Sequence, residues 1–190
     1  MPALIQGAVS EPKPVVIVDY DPQWPGLFRA EGARVMEATR PYVFAVEHIG
    51  STAVPGLAAK ATVDIMLGMC QLSDGPICVE RLVALGFTYF PEFEKEIPER
   101  RCFSRRASED VRFNLHAVEV GSAFWERHLL FRDWLRTHPQ DAAAYASLKR
   151  SLAGKFTHDR EAYTDSKTEF IRAIEQKARA EWANAGRSSS

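Results

Sequence analysis

Residues 61–69 read ATVDIMLGM, an apolar run broken by a single charge, Asp64. A short, near-continuous hydrophobic segment predicts an interior strand with both faces covered, so the chain must build a sheet with helices over it. A lone carboxylate inside such a strand is expensive unless it is paired or put to use. Two explanations fit Asp64: a strand-end acid that holds a metal ion, or a structural ion pair with Lys60 or Arg112.

The residues before the run favour use. Tyr-Val-Phe-Ala-Val-Glu-His-Ile at 42–49 is a strand by its β-branched and aromatic content, and Gly50-Ser51 closes it. Small residues fill the following turn, and Lys60 precedes the second strand. Glycine lets a backbone come close to a ligand, and free amides in such a turn can hold phosphate. A carboxylate on the neighbouring strand can hold magnesium beside that phosphate. Glu47 offers a second metal ligand or a salt-bridged strand residue. His48 alternates with Glu47 and points to the opposite face. Ser51 carries no nucleophile-elbow signature and reads as a phosphate-binding hydroxyl.

The rest of the chain is ordered around this pair of strands. Residues 15–19 read as an edge strand, 21–40 as a helix, 79–85 as a second helix and 87–90 as a short strand. Residues 102–106 and 111–120 read as a hairpin. Within that hairpin Arg112, Asn114 and His116 share one face, while Phe113 and Leu115 take the other. From Ser122 onward three helical patterns follow, at 123–137, 139–155 and 160–185. Phe170, Ile174, Ala178 and Trp182 mark the core stripe of the last one. The expected organisation is an α/β core over 14–121, a helical region over 122–186 packed on it, and disordered tails at 1–13 and 187–190.

Bulk properties exclude several classes. With 190 residues the chain is one compact unit, and a net charge of −1 gives no general attraction to nucleic acid or to a membrane surface. Cys70, Cys78 and Cys102 are odd in number and lack CxxC spacing, so reduced thiols are expected rather than a disulfide framework or zinc site. No stretch is long and apolar enough to span a bilayer, and residues 1–14 lack a signal-like pattern. The expected location is the cytoplasm. The oligomeric state is not encoded in these features.

Gly-Ser after a strand, a spacer of about a dozen residues and an acid on the next strand resemble the nucleotidyltransferase (polymerase β-like) superfamily pattern. The second acid of that pattern is absent: Met66 stands two residues after Asp64. With the words EHIGSTAVPGLAAKATVDI, RFNLH, FRDWLRTHP and DREAYTDSKTEFI, the chain is similar to the GrpB family over roughly residues 14–180. That family includes domains fused to dephospho-CoA kinase. The resemblance implies an α+β fold: a nucleotidyltransferase-like mixed sheet with flanking helices, followed by a C-terminal helical segment. It also implies that Arg132, Lys149, Tyr163 and Lys167 face the cleft, and that His116 stands where a later strand usually supplies a third acid. An imidazole binds magnesium poorly, so His116 is expected to act as a base or to ligate a softer metal.

The leading expectation is a metal-dependent nucleotidyltransferase that moves a nucleotidyl group from a triphosphate such as ATP to a small hydroxylated or phosphorylated acceptor. Asp64, with Glu47, would hold Mg2+; Gly50, Ser51 and Lys60 would cradle phosphates; Arg112 would offset developing charge; Asn114 shares their face. One rival is a degenerate module that binds a nucleotide or coenzyme A and assists a partner enzyme. Another is a metal-dependent phosphohydrolase or lyase.

Overall fold

The structure, a computed structural model, describes residues 14–187, with side chains described as far as Trp182. Of the expected disordered tails at 1–13 and 187–190, all but Arg187 lie outside the described residues, and Arg187 belongs to the last helix. In chain order the elements are α1 (Trp24–Thr39), β1 (Val43–Ile49), β2 (Thr62–Met69), α2 (Gly75–Ala84), β3 (Thr88–Tyr89), β4 (Arg101–Arg106) and β5 (Arg112–Glu119). The helices α3 (Ala123–Thr137), α4 (Pro139–Lys155), α5 (Arg160–Asp165) and α6 (Thr168–Arg187) follow.

The strands form one mixed sheet in the order β1-β2-β5-β4-β3. β2 lies antiparallel to β1 and parallel to β5, so the run bearing Asp64 is interior. Its residues Ile65, Met66, Leu67 and Met69 are all fully buried, as an apolar run covered on both faces requires. Ile65 and Leu67 pack with Leu82 of α2, and with Trp24 and Val35 of α1, on one face. Met66 packs with Ile49, Val118, Phe124 and Trp125 on the other, under α3. The fold is therefore α+β, a mixed sheet with flanking helices and a C-terminal helical segment.

Register places the polar residues. Asp64 lies beside Ile49 on β1 and Asn114 on β5, and Met66 lies between Glu47 and His116. Arg112, Asn114 and His116 share the face covered by the helical half, while Phe113 and Leu115 enter the α1–α2 core.

Three local expectations are corrected. Residues 15–19 make only an isolated bridge, Val18 to Ala59, because Val15 packs against Leu152, Ala153 and Tyr163 rather than against a strand. The helix expected over 160–185 breaks at Ser166-Lys167, where poor helix formers (Asp165, Ser166) meet, and this break carries Lys167. Ile174 and Ala178 are buried, but Trp182 is 74% exposed. Among the described residues no helix is long and apolar enough to cross a membrane.

Candidate functional site

Asp64 sits where β2 passes the Gly50-Ser51 turn. Its Oδ1 accepts a hydrogen bond from Asn114 Nδ2 at 3.1 Å and lies 4.0 Å from His116 Nε2. Its Oδ2 lies over Gly50, whose φ is +71° and at which a β-carbon would come within 2.4 Å of that oxygen. Glycine is required twice here, by the left-handed backbone and by the carboxylate. The turn is tied to β2 from behind. Thr52 Oγ1 donates to the Thr62 carbonyl at 3.0 Å, so His48 Nε2 donates to Thr52 at 3.1 Å. His48 stacks on Phe28 on the α1 side, and burial lowers its pKa to about 4. It is a positioning residue on the face away from the cleft.

Two cavities meet at Asp64. The first, about 180 Å³, is lined by Gly50, Ser51, Lys60, Thr62, Asp64 and Asn114 from the sheet half, and by Tyr145, Lys149, Tyr163 and Lys167 from the helices. Lys149 is 2% exposed; its Nζ donates to Ser51 Oγ at 2.9 Å and to the Ala58 carbonyl, and lies 4.6 Å from the Tyr145 ring centroid. An ammonium has three donors, so one remains beyond these two bonds. Lys60 and Lys167 both lie over the Tyr163 ring, at 5.2 and 4.3 Å. Burial, and then mutual repulsion, lowers the pKa of Lys149 to about 7 and that of Lys167 to about 8; Lys60 is lowered as well. Burial pushes the Tyr163 phenol up to about 12 and raises the Tyr145 phenol further. Three crowded lysines facing one carboxylate leave this cavity short of negative charge.

The second cavity, about 230 Å³, shares Gly50, Ser51, Asp64 and Tyr145 with the first and continues to His116, Arg127, His128, Phe131, Ile171 and Glu175. Burial disfavours the charged form of His116, but Asp64 and Cys102 outweigh it and raise the pKa above the ordinary value. Its Nδ1 is buried without a hydrogen-bond partner.

Of the residues singled out in the sequence, the cavities bring together Gly50, Ser51, Lys60, Asp64, Asn114, His116, Lys149, Tyr163 and Lys167. Glu47 and Arg132 line neither. They pair with each other at 2.6 Å, and Arg132 also binds the His48 carbonyl and Asp133, tying α3 to β1. Arg112 lies outside the lining, bonded to Ser104 Oγ at 3.3 Å; burial and then the neighbouring Arg160 and Arg106 lower its pKa. No ion pair among the described residues joins Asp64 to Lys60 or Arg112. Tyr145, His128 and Glu175 were not picked out from the sequence. Two of the three carry a signal in helical spacing: Tyr145 is i−4 from Lys149, and His128 lies one turn before Arg132.

The donor set sets the terms for a metal. Among the described residues no group of three or more His, Cys, Asp and Glu side chains is placed to hold an ion. Among the described residues, Asp64 is the only carboxylate lining the first cavity. Magnesium is commonly held by one or two carboxylates together with substrate phosphates, and Asp64 beside a phosphate-sized cationic cavity fits the one-carboxylate case.

Comparison with known proteins agrees with this architecture. The family model described as GrpB protein matches residues 14–177. A UPF0157 protein of Halalkalibacterium halodurans is 35% identical over 90% of this chain and 88% of its own. The glutamate-rich protein GrpB of Alkalihalophilus pseudofirmus is 30% identical over 84% of this chain and 93% of its own. A dephospho-CoA kinase of Mycolicibacterium paratuberculosis is 30% identical over 90% of this chain, which spans only 47% of that protein. The crystal structure of conserved protein GrpB from Enterococcus faecalis superposes with a TM-score of 0.77 at 28% identity, covering 88% of this chain and 99% of that one. The chain belongs to the GrpB protein family.

Proposed function

We propose that the protein binds a nucleoside triphosphate through its phosphates in the lysine-lined cavity and transfers the nucleotidyl group to a small acceptor. The observation that carries this reading is the convergence of Lys60, Lys149 and Lys167 on one cavity beside Asp64 and the Gly50-Ser51 turn. The lysines neutralise a polyphosphate, and each is desolvated enough for the interaction to outlast screening by salt. Asp64 would hold the magnesium ion that accompanies the triphosphate. That ion supplies charge neutralisation and fixes the geometry of the phosphates. Ser51 Oγ, already bonded to Lys149, orients the ammonium toward the incoming phosphate.

A second reading has its own support. Met66, at the place of the missing acid, is fully buried in an apolar cluster. With one carboxylate, the same cavity also suits a module that holds a nucleotide or coenzyme A phosphate for a partner enzyme, and a relative named as dephospho-CoA kinase carries a similar region.

Isothermal titration of ATP, GTP, CTP and coenzyme A, with and without magnesium, separates the two. Micromolar, magnesium-dependent binding of a triphosphate that is lost in Asp64→Asn supports transfer. Binding that ignores magnesium and survives Asp64→Asn supports the accessory module.

A further inference from the structure

The second cavity differs in chemistry from the first. Among the described residues no lysine lines it. It holds the ion pair of Arg127 with Glu175, 3.5 Å apart, and His116 Nε2 lies 4.0 Å from Asp64 Oδ1. It lacks its neighbour's excess of positive charge, and Phe131, Ile171 and Ile49 give it apolar walls. A volume of 230 Å³ holds about eight waters, the size of a small metabolite.

One side chain in it has a fixed and usable polarity. His128 Nδ1 lies 2.7 Å from the Phe124 carbonyl oxygen. A carbonyl only accepts, so Nδ1 carries the proton. The ring also stacks on Phe124 at 3.9 Å, which fixes its plane. Burial pulls the pKa down to about 4, so the imidazole is neutral and Nε2 bears the lone pair. Among the described residues no hydrogen-bond partner stands at Nε2. Glu175, whose side chain is 14% exposed, meets Arg127 through Oε1, which leaves Oε2 for a second donor.

We infer that this cavity seats the acceptor, an unphosphorylated, hydroxylated small molecule whose attacking hydroxyl donates to His128 Nε2 while a second hydroxyl is held by Glu175. The inference rests on the nucleotidyl-transfer reading above and narrows its acceptor. In the step it describes, the acceptor oxygen forms a bond to the α-phosphorus as the bond from that phosphorus to the β-bridging oxygen breaks. The electron pair leaves on pyrophosphate in the lysine cavity, and the hydroxyl proton passes to His128 Nε2. Sharing Asp64, Ser51 and Tyr145 between the cavities brings the two reactants into contact. Phosphorylated acceptors are disfavoured because Arg127 is already paired with Glu175 rather than free to meet a phosphate.

The test uses the full chain with α,β-methylene-ATP and magnesium present, and ligand-observed NMR with glycerol, myo-inositol, glucose and glucose 6-phosphate as probes. Saturable binding of an unphosphorylated probe, weakened at least tenfold in His128→Gln and Glu175→Gln with analogue affinity kept within twofold, supports the inference. Probe binding indifferent to both variants, binding of glucose 6-phosphate alone, or no probe binding beside a bound analogue overturns it. Failure of the analogue itself to bind overturns the nucleotide reading, and with it the role of His128 as proton acceptor. Imidazole nitrogen shifts of the wild-type protein provide a check free of mutation: a neutral Nδ1–H tautomer for His128 is expected, and an Nε2–H tautomer or an imidazolium at neutral pH overturns the assignment.

Discussion

A β-carbon on residue 50 would lie 2.4 Å from Asp64 Oδ2, so the turn glycine and the strand carboxylate share a space that only one side chain can fill. The pairing of Ile49 with Asp64 across β1 and β2 creates that closeness. It explains why a Gly-Ser turn and an acid thirteen or so residues later work as a unit.

Gly50→Ala is therefore expected to cost about 1–3 kcal/mol from the positive-φ, extended-ψ backbone alone, roughly 2–12 °C in Tm for a chain of this size. Displacement of Asp64 adds to this. In an Asp64→Ala background the clash with the carboxylate should vanish, while the backbone part and the 3.2 Å approach to the residue-64 β-carbon remain. Thermal unfolding of the four proteins of this cycle checks it, and strict additivity would contradict the shared-space relationship.

Anion binding should be coupled to proton uptake. Lys149 titrates at about 7 and Lys167 at about 8 without a ligand, and a bound phosphate raises both. The protein binds a triphosphate best with these lysines charged, so affinity should fall as pH rises from 7 to 9. Each lysine contributes up to about tenfold per pH unit. Titration at pH 7.5 in buffers of different ionisation enthalpy should show net uptake, reduced in Lys149→Met. Pyrophosphate affinity that is flat or rising over this range would count against the lysine cavity as the phosphate site.

How much of this was legible in the chain depends on the kind of signal. The interior strand and its lone acid follow from a near-continuous apolar run, and the shared face of Arg112, Asn114 and His116 from period-two alternation, which a strand obeys rigidly. Glu47 and Arg132 show the limit. Both were expected at the cleft, yet they neutralise each other at 2.6 Å across 85 residues of sequence, a pairing set by how α3 packs on β1. The resemblance implies that Lys167 faces the cleft, within one continuous helix over 160–185, but a break between α5 and α6 is what places it over Tyr163. Glu175 carries no local pattern, because its meaning comes from α6 meeting α3 at one cavity.

His48 gives the fold an acid-sensitive joint. It stays neutral in the fold down to about pH 4, while the unfolded chain takes up a proton near 6.5. The unfolded state binds the extra proton in that window, so stability is intact above pH 6.5 and falls as the pH drops towards 4, by about 3 kcal/mol. Denaturant unfolding across this range should show the loss, and His48→Gln should flatten it. An unchanged slope in that variant would mean that other groups dominate the acid limb.

Met66→Asp would restore the acid–apolar–acid pattern, but the structure places the new carboxylate among Ile49, Val118, Phe124 and Trp125. The expected result is a loss of about 3 kcal/mol or more in stability with no gain in turnover. Met66→Leu should cost less than about 1.5 kcal/mol. A stable, more active aspartate variant would show that the apolar cluster opens to the cleft.

The most direct test of the lysine cavity is a crystal structure with α,β-methylene-ATP and magnesium. The β- and γ-phosphate oxygens are expected within hydrogen-bond distance of Lys149 and Lys167 Nζ, with the α-phosphorus beside Asp64 and the opening to the second cavity. Phosphates seated away from all three lysines, for example in the groove that Trp125, Trp134 and Trp182 line between α3 and α6, would contradict it.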